Sequence, residues 1–246
     1  MTKTVLVTGS SKGIGRATII EFAKHGYNVV INYNSDEKGA KELEQFVKSN
    51  YNVEVLSIKC DVSDEMLVKK MVDEIISAFG KIDALVNNAG IAIDTTFEDK
   101  TVENFKKTLN VNLIGQFIVA KEVGKYMLEN KKGSIVNISS TNGFETYYPY
   151  SLDYDASKAG VISLTHNLAI EYAPYIRVNS VAPGWVDTDM NKELDDDYVN
   201  EECKKIFLNR FGKPEEIAKV VYFLSSDDAS YINGEIVRVD GGNYQA

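Results

Sequence analysis

Cysteine, proline, basic charge and long apolar runs are all in short supply in this 246-residue chain, and each shortage excludes something. Its two cysteines, Cys60 and Cys203, lie far apart with no Cys-x-x-Cys spacing. That argues against a disulfide framework or a zinc ribbon, leaves no metal site to expect, and fits a reducing compartment. Lys and Arg number 27 against 36 Asp and Glu, a formal net charge of −9, which argues against sequence-independent nucleic-acid binding. No apolar stretch approaches the roughly 18 residues that span a bilayer, so no membrane partner is expected. The run Val5-Leu6-Val7 behind Met1-Thr2-Lys3-Thr4 is too short for a signal-peptide core. The expectation is a cytoplasmic protein. What remains, 44% hydrophobic and 26% charged residues, is the balance of an ordinary globular chain with core material to spare.

Short Val- and Ile-rich runs alternate with stretches of helical period. Strands are expected at 4–8, 28–33, 53–59, 84–87, 134–139, 177–182 and 235–239, and helices near 13–25, 36–49, 64–79, 101–129, 155–173 and 214–225. The strands alternate little, which implies burial on both faces, as in a parallel sheet covered by helices. Repeated βα units joined right-handedly give an α/β fold, a single-domain, Rossmann-type doubly wound parallel sheet of about seven strands with helices on both faces. Pro149, Pro174, Pro183 and Pro214 all fall at expected loops or helix edges. One domain over 1–246 is expected.

The first turn has three readings. Val5-Leu6-Val7-Thr8 leads into Gly9-Ser10-Ser11-Lys12-Gly13-Ile14-Gly15 and then a helix. Strand, glycine turn and helix N-terminus make a pyrophosphate site, because glycines let backbone approach and free N–H groups face the anion. The spacing TGxxxGxG is not GxGxxG, and no GK[ST] follows Gly13 to make a Walker A loop. Gly9-Ser10-Ser11-Lys12-Gly13 also fits GxSxG, the nucleophile elbow of α/β-hydrolases, which belongs after several strands with an acid and a histidine downstream. Here it follows the first strand, and His25 and His166 are the only histidines. A plain tight turn is the third reading.

Tyr154 and Lys158 stand four apart on one face of an expected helix. In a chain this rich in both residues, about one such pair arises by chance. Ser140 adds weight, since it ends an expected strand, where ligands gather in doubly wound sheets. A free phenol, with a pKa of about 10, matches neutral pH poorly, and a neighbouring ammonium is expected to lower it. A serine hydroxyl can hydrogen-bond a carbonyl oxygen as negative charge builds there. An exposed tyrosine–lysine helix pair is the plainer alternative.

With these residues quoted, the chain resembles the short-chain dehydrogenase/reductases, and within them the 3-oxoacyl-[acyl-carrier-protein] reductases, from Thr8 to Gly241-Gly242. The resemblance implies an NAD(P)-dependent oxidoreductase acting on CH–OH or C=O groups. Thr8 to Gly15 is similar to the family's cofactor turn, Asp61-Val62 to its adenine-contacting pair, and Asn87-Asn88-Ala89-Gly90 to its NNAG segment. Asn112, Ser140, Tyr154 and Lys158 match its catalytic tetrad, the asparagine supporting a proton relay to the lysine. Pro183-Gly184-Trp185-Val186-Asp187-Thr188 matches the PG…T segment, whose threonine contacts the nicotinamide carboxamide. The intact tetrad speaks against a noncatalytic dinucleotide sensor. An oxidoreductase acting on a small ketone, alcohol or sugar, similar to glucose dehydrogenases, keeps every motif and stays open.

The expected second strand ends Ile31-Asn32-Tyr33-Asn34-Ser35, without the acid that holds the ribose hydroxyls in NAD-specific enzymes. Asn32 and Ser35 are neutral hydrogen-bonding candidates, and Ser11 and Lys12 stand in the turn. NADP(H) is therefore expected over NAD(H), with Asp36 just beyond as the opposing feature. Between Ser140 and Tyr154 run Phe144, Tyr147, Tyr148 and Tyr150, which either line an aromatic pocket or pack loop against helix. Tyr175 stands where the carrier-protein reductases often place a basic residue; Lys131 and Lys132 supply part of such a patch. From Asp187 to Cys203 eight acids face Lys192 alone, a net −7 of the whole chain's −9. This segment falls where the family carries its substrate cover, an acidic lid near 187–210, and such a charge disfavours an acidic carrier protein. A solvated helix face is the alternative. The resemblance further implies a homotetramer through 101–129, 155–173 and the C-terminal segment.

Overall fold

A computed structural model describes residues 2–144, 148–191 and 194–242, with the Met190 side chain excepted. Tyr147, Lys192 and Glu193 from the preceding expectations lie outside the described residues. Seven strands, β1 (Thr4–Val7), β2 (Asn28–Tyr33), β3 (Val55–Lys59), β4 (Ala84–Asn87), β5 (Gly133–Ile138), β6 (Ile176–Pro183) and β7 (Ile236–Val239), form one sheet. Their order is β3-β2-β1-β4-β5-β6-β7, and every pairing is parallel. This is the expected doubly wound Rossmann-type sheet. The chain winds outward from β1 in one direction to β3 and in the other from β4, so the crevice between the β1 and β4 ends is its switch point.

The strand period of two divides the core. Leu6, Val30, Leu85 and Ile135 point to one face, where α3 (Glu65–Phe79), α5 (Gly115–Glu129) and α6 (Leu152–Glu171) supply Met71, Ile75, Val123, Met127 and Leu168. Val5, Val7, Val29, Ile31 and Val86 point to the other, against Ile19, Phe22, Leu43 and Val221 of α1 (Gly13–Lys24), α2 (Glu37–Asn50) and α8 (Pro214–Ser225). A strand buried on both faces reads as a continuous apolar run, and this is why it was legible.

Three departures from the expected elements matter for the site. The helix expected over 101–129 is α4 (Val102–Leu109), a π turn at Asn110–Ile114, and α5 in unbroken succession. The Gly115 N–H donates to the Asn110 carbonyl, the five-residue spacing of that turn. Helix α6 begins at Leu152 rather than 155, so Tyr154 sits in its first turn. A further helix, α7 (Asp196–Lys205), has no buried residue and hence no apolar period to betray it. Among the described residues, no helix is long and apolar enough to cross a membrane.

Ile135 lies at the centre of β5 with no exposed surface. Replacing it with Ala is expected to cost about 2–5 kcal/mol, the range for emptying a closely packed core position. The urea midpoint measures this, and a loss below about 1 kcal/mol would contradict the central place given to β5.

Candidate active site

The β1–α1 turn is shaped by what a Cβ would strike. Gly9 (φ +59°) has Ala89 Cα only 2.7 Å from where its Cβ would stand, and Gly15 has the Asn88 amide at 2.6 Å. Gly13 (φ +55°) adopts the left-handed conformation that glycine tolerates. The Asn88 amide donates to the Thr8 and Gly9 carbonyls, both at 2.9 Å. The Thr8 hydroxyl accepts the Asn88 and Ala89 N–H groups at 2.9 and 3.0 Å. The switch-point crevice is thus knotted shut at its base.

Helices α2 and α3 are capped by the side chains of Asp36 and Asp64, whereas α1 has no side-chain cap and no acid in its first turn. Its N–H groups face a cleft of about 1,220 Å³ lined by Gly9, Ser11, Lys12, Gly13 and Ile14. A helix N-terminus that keeps its donors free beside a glycine cradle fits a pyrophosphate. Ser35, Asp61, Val62, Asn88, Ala89 and Gly90 line the same cleft, whereas Gly15 packs beneath the turn.

Asn32 also reaches this cleft, but its side chain is committed elsewhere. Its Oδ1 accepts the Gly9 N–H at 3.0 Å, its Nδ2 donates to the Cys60 carbonyl at 3.0 Å, and the residue is 1% exposed. Asn32 thus lines the expected cofactor cleft with its side chain serving as a strut that holds the turn. The Asp36 carboxylate lies over Gly39, whose N–H it accepts at 3.0 Å. That hydrogen bond, with help from the Ser11 hydroxyl and the Lys12 charge, holds it below the usual carboxylate range.

The tetrad residues come together at the strand ends. Asn112 is fully buried in the π turn; its Oδ1 accepts the Ile91 N–H at 2.8 Å. Its Nδ2 donates to the Ile91 carbonyl at 2.9 Å and to Ser157 Oγ at 3.0 Å. Ser157 in turn donates to the Tyr154 carbonyl at 2.7 Å. Asn112 therefore contributes as a scaffold rather than as a free side-chain group. Lys158 Nζ donates to the Ile138 carbonyl at 2.8 Å and lies 5.3 Å from the centre of the Tyr154 ring. The Ser140 hydroxyl is within hydrogen-bonding reach of the Tyr154 phenol.

The lowering expected from the neighbouring ammonium is opposed here by burial. Burial pushes the Tyr154 phenol up to about 12, and Ser140 counters only part of this. Burial also brings the Lys158 ammonium down to about 8. Desolvation outweighs the attraction because Lys158 is aimed at a carbonyl, not at the phenol oxygen.

A second cavity of about 540 Å³ opens on the other side of Tyr154. Ser140 lines it, and so do Pro183, Gly184 and Val186, which the structure places here rather than in the first cleft. Thr188 borders both. Of the expected aromatic pocket, Tyr148 lines this cavity, Phe144 lies under the Arg238 guanidinium at 4.8 Å, and Tyr150 is 51% exposed. The sequence reading missed Asp94, Tyr198, Asp155 and the Trp185 wall contact. Trp185, the chain's single tryptophan directly after Pro183-Gly184, was the available signal. Trp185 stacks on Phe211 at 5.3 Å, meets Tyr198 edge-on and donates to Glu202 at 3.1 Å. Among the described residues, no group of three or more His, Cys, Asp or Glu is arranged to hold a metal ion.

Comparison with known proteins agrees with this geometry. The family model described as Enoyl-(Acyl carrier protein) reductase matches residues 9–243. The 3-oxoacyl-[acyl-carrier-protein] reductase FabG of Staphylococcus aureus is 40% identical over 245 residues, 99% of each chain. Glucose 1-dehydrogenase 2 of Bacillus subtilis is 38% identical over 244 residues, 98% of this chain and 94% of that one. Among solved structures, levodione reductase superposes with a TM-score of 0.92 at 37% identity, covering 98% of this chain and 96% of its own. ElxO with NADP bound gives 0.89 at 35%, covering 98% of each. Motifs, sheet order and full-length similarity converge, and the chain belongs to the short-chain dehydrogenase/reductase family of oxidoreductases.

Proposed function

We propose that this chain is an NADPH-dependent carbonyl reductase that takes a 3-oxoacyl thioester to its 3-hydroxy product. The observation that carries the reading is the place of Tyr154, among the described residues the one titratable group that borders both cavities, with Ser140 on one side and Lys158 on the other. A bound nicotinamide dinucleotide supplies the hydride. Tyr154, whose phenol burial pushes up to about 12, holds the proton that the carbonyl oxygen takes. Ser140 donates a hydrogen bond to that oxygen as its charge develops, and Lys158 holds a positive charge behind the ring. The uncapped α1 N-terminus, Ser11, Lys12 and Gly13 hold the dinucleotide phosphates, with Asp61 to Val62 and Asn88 to Gly90 along its length.

Neutral Asn34 and Ser35 at the end of β2, with Lys12 opposite, support NADPH over NADH. Asp36 offers little opposition, since its carboxylate is turned into its own helix. ElxO, 35% identical, binds NADP. The fold reads as one domain covered at the substrate side by 187–210. The acids there are partly accounted for: Asp195 caps α7, while Lys204 and Lys205 pair with Glu201 and Glu202, each at 2.6 Å. Lys131 lies against Tyr175 at 5.8 Å and Lys132 faces Asp227, so little basic surface is left there for an acidic carrier protein. A free thioester suits this surface better. Exposed Phe117 and Ile170 on α5 and α6 support the homotetramer, and the free thiols of Cys60 and Cys203 fit a reducing, cytoplasmic setting.

The aromatic wall of Tyr148, Trp185 and Tyr198 favours a second reading, a compact ketone or sugar stacked against it. Assaying NADPH and NADH with acetoacetyl-coenzyme A, small cyclic ketones and glucose separates the two. Higher kcat/KM for acetoacetyl-coenzyme A with NADPH is expected; turnover confined to ketones or glucose removes the thioester, and an NADH preference removes the cofactor assignment.

Tyr154→Phe is expected to lower kcat at least about a hundredfold, the usual worth of a positioned proton donor, while NADPH affinity by fluorescence titration stays within twofold. Retained turnover contradicts the role. In the wild type, kcat/KM for reduction is expected to hold through neutral pH and fall with an apparent pKa near 8, as Lys158 loses its charge while Tyr154 is still protonated. A profile flat to pH 10 contradicts the part given to Lys158.

A further inference from the structure

We propose that Asp155 is a positioning residue of the active site: its carboxylate fastens Asn142 and Tyr148, on either side of the loop after β5, to helix α6. Through them it sets the Ser140 hydroxyl and the aromatic wall of the substrate cavity. The proposal rests on the reading of Ser140 and Tyr154 given above.

Asp155 Oδ1 accepts the Asn142 side-chain amide at 2.7 Å, and Oδ2 accepts the Tyr148 backbone N–H at 3.0 Å. Each contact leads to the site by a separate path. The Asn142 N–H donates to Ser140 Oγ at 3.2 Å and its Oδ1 accepts from that hydroxyl at 3.4 Å, so the orientation of Asn142 fixes that of Ser140. Tyr148 lines the cavity with its hydroxyl facing Tyr198 of α7, which packs edge-on against Trp185 at 6.1 Å. Asp155 directly follows Tyr154, so one helical turn carries both the proton donor and the anchor of the loop opposite it.

The anchor depends on charge. A carboxylate accepts strongly from both N–H groups, whereas a protonated carboxyl loses its charge and carries a proton on one oxygen, which weakens the bond that oxygen accepts. Burial, Asp153 on the same helix and Asp94 in the segment after β4 all raise the Asp155 pKa, against the two hydrogen bonds that lower it. Lys158, one turn on, is held by the Ile138 carbonyl, and Arg238 of β7 lies on Phe144 at the far side of the loop. Acidification therefore weakens the hold on Asn142 and Tyr148, and the raised pKa of Asp155 places this change above where an ordinary carboxylate would titrate.

Trp185, the only tryptophan, reports on the wall without any substrate. On acidification the wild-type emission is expected to change with a midpoint above pH 4, well before unfolding by far-UV circular dichroism. Asp155→Asn is expected to show the acid-form emission already at pH 7 and to lose the transition. Glu202→Gln, which removes the carboxylate to which Trp185 donates, is expected to keep it. With acetoacetyl-coenzyme A, Asp155→Asn is expected to lower kcat/KM about tenfold and abolish its acid limb, while NADPH affinity stays within twofold. A wild type without the transition, a variant that retains it, or a parallel loss of NADPH affinity overturns the proposal. If the wild type fails to reduce acetoacetyl-coenzyme A, the thioester reading falls and the fluorescence arm still decides the role of Asp155.

Discussion

The buried side-chain amide of Asn112 joins three segments: its own π turn, the stretch after β4 and helix α6. Both of its polar atoms pair with the backbone of Ile91, as a neighbouring strand would, and its second N–H reaches Ser157 on α6. Buried without those partners, each backbone group of Ile91 would be left unsatisfied at a cost of about 1–3 kcal/mol. The π turn is what lets the amide arrive there without ending the helix, because the extra residue rotates the side chains that follow while the backbone stays hydrogen-bonded. From Ser157 the chain of bonds continues to the Tyr154 carbonyl, so the position of the phenol is referred back to the β4 end of the sheet. The same principle recurs at Asn32 and Asn88, whose amides tie the glycine turn to its neighbours. Two buried amides and a half-buried one thus tie the strand ends together.

Burial at this junction also sets the electrostatics, and it acts oppositely on the two ionisable partners. It favours the neutral phenol of Tyr154 and disfavours the ammonium of Lys158. A phenol that is neutral near neutral pH holds a proton it can donate. The carbonyl of Ile138 keeps the ammonium in place.

The sequence made the sheet and the tetrad legible for different reasons. Strands such as Val5 to Val7 and Leu85 to Val86 are buried on both faces, so their apolar runs survive any detail of packing. The tetrad was visible as four residue types in family order. The π turn was not, because its residues are compatible with an ordinary helix and only the Asn112 bonds select it. Helix α7 was hidden by its lack of a buried face, and what looked like a field of acids contains a helix cap at Asp195 and two pairs with Lys204 and Lys205. The direction of the Tyr154 shift was illegible for a further reason: sequence spacing placed a lysine nearby, but only the fold decides where its ammonium points and how dry the phenol is.

The two sides of Tyr154 are built by different kinds of constraint, and this separates the chemistry from the choice of substrate. On the dinucleotide side, backbone N–H groups and positions where no Cβ fits do the holding, so the residues there answer to the geometry of the sheet. On the other side the wall consists of side chains from three segments: Tyr148 before α6, Trp185 after β6 and Tyr198 on α7. None of the three belongs to a strand or helix that forms the core. Exchanging any of them reshapes the cavity while leaving the turn, the amide struts and the phenol in place. Relatives at 40, 38 and 37% identity are named for a carrier-protein thioester, glucose and levodione. Specificity in this chain therefore resides in how the wall is held against Ser140, and the charge that holds it sits one residue beyond the proton donor.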